Sequence, residues 1–348
     1  MQDFGGKVLG RPVEILVGDH QNKPDVGSSI VRRWLDLDGV GAVADGGSSA
    51  VGLAIQELTR ERKRLFLITG STTADFTGKA CSPTGMHWQT DTYSTATAAA
   101  RGQMDQGRKT WFFLTADYTF GYDLERFATA EIERGGGKIL GRSRFPLGTP
   151  DFSAMLLQAQ SSGAQVIALG ASGSDAVNAV KQAQEFGILR NQSMVNLALY
   201  ISDVEGMGQQ SAQGLTWVTT FYWDRDEASR EWTRRFMALR KQLPTRLHAG
   251  TYSAVLHYLT AIEAAGTDDG PTVAAKMREM PLQDALFRGA RIREDGRVML
   301  PLHLMRIKTA AEAKGPNDYA AVVTTVPAEQ AFRPLSEGGC PFVSAGAK

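Results

Sequence analysis

Val40-Gly41-Ala42-Val43-Ala44-Asp45-Gly46-Gly47-Ser48-Ser49 and, further on, Leu65-Phe66-Leu67-Ile68-Thr69-Gly70-Ser71-Thr72-Thr73 share one design. Each is a short apolar run that ends in a loop of glycine and hydroxyl residues, and each loop leads into a segment of helical spacing. A short apolar run bounded by turn residues reads as a buried strand. Small loop residues let backbone N–H groups come close to a ligand, and the start of the next helix adds partial positive charge. The pair of loops therefore suits a carboxylate, with Ser48, Ser49, Ser71, Thr72 and Thr73 as candidate donors. The plainer reading of each hydroxyl is a cap for the helix that follows. Two such loops on neighbouring parallel strands favour a site, because ligands of open α/β sheets lie beyond the carboxyl ends of the strands. Neither loop holds a catalytic base, so the pattern speaks of binding an anion rather than transforming one.

Outward from these loops the chain alternates strand and helix. Residues 12–19 alternate apolar and polar and read as a strand; residues 24–38 have helical spacing, with Pro24 in the first turn and Gly39 at the end. Strands are expected at 40–44, 64–69, 86–90, 110–115, 138–145, 165–169, 194–200 and 215–221, with helices at 50–60, 94–106, 120–134, 151–161 and 174–186. Gly135-Gly136-Gly137 closes one of these helices. This order predicts a parallel sheet with helices on both faces. After Trp223 the character changes to long helices at 227–241, 248–265 and 272–280, then strand-like pieces at 290–293, 298–307 and 319–325. The chain reads as leaving a first domain, building a second and returning.

Bulk composition narrows the function. A chain of 348 residues suits two domains. A formal net charge of +1 lacks the basic excess of a nucleic-acid binder. No apolar run reaches the roughly 18 residues that span a bilayer, and the opening Met1-Gln2-Asp3-Phe4-Gly5-Gly6 reads unlike an export signal, so none is expected there. Catalytic motifs start and fail. Gly46-Gly47-Ser48-Ser49-Ala50 and Gly170-Ala171-Ser172-Gly173-Ser174 both lack the last glycine of a nucleophile elbow. Gly78-Lys79 is followed by Ala80 rather than a P-loop hydroxyl, and no histidine pair has metal-ligand spacing. The expectation is a protein that is not an enzyme, with no metal and no cofactor.

Aromatic residues supply candidate walls. Phe120, in Asp117-Tyr118-Thr119-Phe120-Gly121, stands where a strand hands over to a helix and suits either ring stacking or sheet packing. Trp223 lies where the second domain hands back to the first, as a cleft wall or a hinge-packing residue, and Tyr200 ends a strand. Cys81 and Cys340 lie in loops, in Cys81-Ser82-Pro83 and Cys340-Pro341, outside the apolar periodic segments where buried thiols usually sit. They read as a disulfide that ties the C-terminal tail to the loop after Thr73, in an oxidising compartment.

These residues resemble a known family, the type I periplasmic solute-binding proteins of ABC transporters, in the branched-chain amino acid (Leu/Ile/Val) branch. The resemblance runs over nearly the whole chain. It is carried by Gly10-Arg11-Pro12-Val13-Glu14, by Asp19-His20-Gln21-Asn22-Lys23-Pro24-Asp25, and by the order and spacing of residues 70–78, 117–121 and 214–221. It implies an α/β fold of two Rossmann-like lobes with parallel sheets, joined by three hinge crossings. Lobe 1 would take residues 1–90 and 225–295, lobe 2 residues 91–222 and 296–333, and the tail 334–348. The ligand would lie in the inter-lobe cleft, and closure would present the protein to an ABC permease. Ser49, Ser71 and Thr73 match the carboxylate-binding positions and Phe120 the second-lobe aromatic. Members that take up aromatic acids resemble the chain more closely than amino acid binders do, sharing Lys79-Ala80-Cys81-Ser82-Pro83 and Tyr222-Trp223-Asp224.

Two departures shape the expectation. Family members carry a strand and most of a helix before the equivalent of Phe4-Gly5-Gly6, so the first strand is expected to be missing here. Amino acid binders also place a carboxylate near the strand end that here reads Ala198-Leu199-Tyr200, with Asp203 the nearest substitute. A buried ammonium needs such a partner. The resemblance thus implies a periplasmic receptor for a small, aromatic carboxylate, with Ser48, Ser49, Ser71, Thr72, Thr73, Phe120, Tyr200, Asp203 and Trp223 around the ligand. The rival readings are an amino acid receptor and a cytoplasmic ligand sensor with reduced cysteines.

Overall fold

The two apolar runs form neighbouring parallel strands. Ala42–Ala44 pairs with Leu65–Ile68, which pairs in turn with Gly85–His87. The computed structural model of the chain describes residues 1–343 and divides into two units. Unit 1 comprises Met1–Asp91, Leu247–Leu300 and the chain from Phe332; unit 2 comprises Thr92–Arg246 and Pro301–Ala331. Residues 225–246, which the sequence reading gave to the first lobe, group with unit 2. There the helix Glu227–Arg240 sets Trp232 edge-on against Phe221, with ring centroids 5.6 Å apart. Residues of the 334–348 tail beyond 343 lie outside the described residues.

In unit 1 the helices Pro24–Asp36 and Ser49–Glu61 cover the three-stranded sheet. Val31, Val43, Val51, Ile55, Leu58, Phe66, Ile68 and Phe76 form the core between them. Pro24 stands in the first turn, where its missing N–H costs nothing. The strand expected at 12–19 does not form. Arg11–Pro12 pairs only with Lys7–Val8, residues 13–20 carry no strand, and Val17 is 90% exposed. Alternation alone does not make a strand, because its N–H and C=O groups need a lateral partner. Beyond Pro12, paired with Lys7, and Val13, whose N–H donates to the Gly6 carbonyl at 3.0 Å, no strand pairs with this segment among the described residues.

Unit 2 is built on a seven-stranded sheet. Lys138–Phe145, Thr110–Ala116, Val166–Gly170, Ser193–Asn196 and Thr216–Thr219 run parallel in that order. Leu302–Ile307 and Ala320–Val326 then add two antiparallel strands at the other edge. The parallel sheet expected from the sequence is present, and it becomes mixed where the chain returns. Strands buried on both faces read as unbroken apolar runs, and Trp111-Phe112-Phe113-Leu114 is one of them, buried throughout.

Candidate functional site

In unit 1 the loops at 45–49 and 69–73 leave the carboxyl ends of adjacent strands. Ser48 is the N-cap of the helix Ser49–Glu61, with extended backbone, but its side chain makes no capping bond. Its carbonyl accepts the first helical bond from the Gly52 N–H at 2.8 Å. The first turn of this helix therefore presents its positive end without a side-chain cap. The loops brace each other. Ser71 Oγ donates to the Ser48 carbonyl at 3.0 Å, and the Thr73 N–H donates to Ser49 Oγ at 3.2 Å. Thr73 Oγ1 accepts from the Asp75 N–H at 3.3 Å and so caps the short 3-10 helix Ala74–Thr77. The plain capping reading thus holds for Thr73 and not for Ser48. Ser49, Ser71 and Thr73 are buried, with Thr72 beside them. A hydroxyl that accepts one bond still has its own proton to donate, as at Ser49.

Glycine lets the loops come this close. At Gly47, with φ +57°, a Cβ would sit 2.2 Å from His20 Nε2, and at Gly70 one would sit 1.7 Å from Asp45 Oδ1.

A buried polar cluster supports these loops from below. His87 Nε2 lies 3.0 Å from the Ser71 carbonyl, so this nitrogen carries the proton. Burial, with the Arg297 charge nearby, holds the His87 imidazole neutral, far below its usual titration range. The fully buried Arg297 donates to Asp91 Oδ2 at 3.2 Å and to the carbonyls of His87 and Gln89, with its guanidinium 4.5 Å over the Phe332 ring. Burial lowers its pKa to about 10, still well above neutrality. Cys81 and Cys340 are joined in a disulfide that fastens the tail to the loop after Thr73. Arg333 in that tail donates to the Ala74 carbonyl at 2.9 Å.

Unit 2 gathers its aromatic residues at the same kind of position, beyond strand ends. Phe120 stacks on Tyr118 at 5.6 Å and 30°. Burial lifts the Tyr118 phenol to about 12, with Tyr200 and Asp175 adding to the shift. Tyr200 precedes the helix Ile201–Met207, and Trp223 Nε1 donates to the Asn317 carbonyl at 3.0 Å. Tyr200, Trp217, Phe221, Tyr222 and Trp223 line one pocket with Arg246. Asp203 Oδ2 accepts from the Tyr200 N–H at 3.0 Å, and the carboxylate also takes the Gly173 N–H. Burial raises its pKa despite these donors and the nearby Arg246 charge.

Tyr118 and Arg246 escaped the sequence reading. Arg246 is 3% exposed, its guanidinium lies 4.0 Å from the Tyr200 ring centroid, and Nη1 donates to the Leu199 carbonyl at 3.0 Å. A signal was present: Arg246 is the first residue of the helix Arg246–Ala265, where the helix dipole disfavours a cation. Among the described residues no group of three or more His, Cys, Asp or Glu is placed to hold a metal ion. No helix there is long and apolar enough to cross a membrane.

Three comparisons bear on this geometry. The family profile described as periplasmic binding protein matches residues 1–315. The crystal structure of a periplasmic binding protein from Burkholderia mallei is 41% identical, with a TM-score of 0.95, covering 99% of this chain and 91% of that one. The curated Leu/Ile/Val-binding protein homolog 6 of Brucella melitensis biotype 1 is 27% identical over 291 residues, 80% of this chain and 72% of the relative. An ABC transporter solute-binding protein from R. palustris, solved in complex with 4-hydroxybenzoate, shares the fold at 19% identity. Its TM-score is 0.85, over 93% of this chain and 89% of that one.

Proposed function

This chain belongs to the periplasmic binding protein family, and we propose that it is the extracytoplasmic solute receptor of an ABC uptake system for a small aromatic carboxylate. The observation that carries this reading is the pair of mutually braced hydroxyl loops at adjacent strand ends in unit 1, beside an uncapped helix start. Ser49 and Thr73, with the backbone N–H groups of both loops, offer donors to a carboxylate, while Ser71 spends its hydroxyl proton on the Ser48 carbonyl and holds the two loops together. Phe120, Tyr200 and Trp223 supply ring-packing surface in unit 2. The 4-hydroxybenzoate complex of the R. palustris protein lends weight to an aromatic acid. The disulfide suits an oxidising compartment outside the cytoplasm. The protein's partners are then its ligand and a membrane permease.

A second reading, an amino acid receptor, is favoured by the name of the Brucella relative. A thermal-shift panel of benzoate, hydroxybenzoates and phenylpropanoid acids beside the twenty amino acids separates the two, since a ligand raises the midpoint by mass action. Aromatic acids alone are expected to stabilise the protein. Stabilisation by leucine, isoleucine or valine instead refutes the ligand class. Thr73→Val is expected to weaken binding by about 1–3 kcal/mol through the lost hydroxyl. Unchanged affinity removes Thr73 from the site.

A further inference from the structure

Arg246 is a cation where helix electrostatics does not call for one. It is 3% exposed, at the positive end of its own helix. Its Nε is buried with no hydrogen-bond partner among the described residues. The Tyr200 ring face and the Leu199 carbonyl answer part of its donor capacity. Asp203, the carboxylate that faces it, is already taken up by the N–H groups of Tyr200 and Gly173. Arg246 also lines the unit-2 pocket whose other walls include Tyr200, Trp217, Tyr222 and Trp223. A buried donor left unmade is expensive, so a pocket of this kind is built around an acceptor that arrives with the ligand.

The geometry points to a specificity subsite in unit 2, in which Arg246 binds an acceptor oxygen carried on the ligand's ring, a phenolic oxygen or a second carboxylate, while the surrounding aromatic residues pack the ring. This rests on the reading of the protein as a receptor for aromatic acids and states which acids it selects. A planar guanidinium offers directed donors that a lysine ammonium does not reproduce. A site built to hydrogen-bond one oxygen rejects the analogue that lacks it, because its own polar groups are then left unpaired.

The test is calorimetric titration of the disulfide-intact protein with ring-substituted benzoates. 3-Hydroxybenzoate, 4-hydroxybenzoate and terephthalate are each compared with the methylbenzoate of the same substitution. At least one oxygen-bearing acid is expected to bind about ten- to a hundred-fold more tightly than its methyl partner. In Arg246→Met, checked for folding by circular dichroism, that ratio is expected to fall to within about three-fold, while the methylbenzoates keep their affinity. Arg246→Lys, which keeps the charge without the fork, is expected to lose most of the preference and serves alone if Arg246→Met does not fold. An unchanged ratio in the folded variants overturns the subsite, as does a wild type that binds the methyl and oxygen-bearing acids equally. In both cases the receptor reading stands, since aromatic acids still bind. If no aromatic acid binds the wild type, the receptor reading and the subsite fall together.

Discussion

Removing the Cys81–Cys340 disulfide offers the most quantitative check on how unit 1 is held. The two cysteines are 259 residues apart in sequence. A crosslink closing a loop of that length removes roughly 19 cal/mol/K of chain entropy from the unfolded state, or about 5.6 kcal/mol at 25 °C as a ceiling. Measured values for native disulfides cluster lower, at about 2–4 kcal/mol. For a domain of about 150–250 residues each kcal/mol moves the midpoint by about 2–4 °C. The double variant Cys81→Ala, Cys340→Ala is therefore expected to unfold about 5–15 °C earlier in scanning calorimetry. Alanine is the right replacement because Cys81 is fully buried and a serine there would add an unpaired hydroxyl. Wild-type protein scanned in reductant should reproduce the shift, since the same bond is opened without substitution. A drop below about 2 °C in both would refute the reasoning. The tail would then be held by its hydrogen bonds, from Arg333 to the Ala74 carbonyl and from Arg293 to the Arg333 carbonyl.

Two further outcomes follow from buried groups. Arg297→Met is expected to cost about 3–5 kcal/mol in urea unfolding, because it strips Asp91 of its buried partner and leaves the His87 and Gln89 carbonyls without their shared donor; a cost below about 1 kcal/mol would mean that solvent reaches this cluster. Burial, helped by the Arg225 charge, lowers the His303 pKa to about 4 from an ordinary 6.5, so between those values the unfolded chain binds a proton that the folded one does not, and stability falls as pH drops. From pH 7 to pH 5 the loss from this group is about 2 kcal/mol, and His303→Gln should remove that share of the pH dependence in unit 2, whereas an identical pH profile in the variant would show His303 to be solvated.

Much of this was legible in the chain, for reasons that name the exceptions. Strand positions came through wherever a strand is covered on both faces, because burial writes an unbroken apolar run, as in residues 65–68 and 166–170. Residues 12–19 misled because period-2 alternation reports a face and not a partner, and a strand exists only when both are present. The disulfide was legible because each cysteine sits in a Pro-marked loop rather than a periodic apolar segment. Arg246 and Tyr118 were not, since each acquires its meaning from residues far off in sequence, Leu199 and Tyr200 for the first and Asp175 and Tyr200 for the second. The cross-bracing of Ser71 to Ser48 and of Ser49 to Thr73 was likewise beyond a linear reading. Hydroxyl residues announce that they will bond but not to what.

The state of Asp203 bears hardest on the kind of ligand. An amino acid brings an ammonium as well as a carboxylate, and a dry site must answer both. Asp203 is the nearest carboxylate in the sequence to the strand end where that duty falls, and its oxygens accept from backbone N–H groups at Tyr200 and Gly173. A positive charge, that of Arg246, acts on it, and the Arg246 Nε has no hydrogen-bond partner among the described residues. An ammonium brought to about 6 Å from that guanidinium would meet a repulsion of about 3 kcal/mol at an effective dielectric of 20. An aromatic acid without an amino group avoids this cost, and a ring oxygen reverses its sign. On the proposed reading, the same two residues disfavour an amino acid and favour an oxygenated aromatic acid. Asp203→Asn is a direct check on the first half of that argument: it should not alter benzoate binding, whereas a receptor that used Asp203 for an ammonium would lose its amino acid ligand.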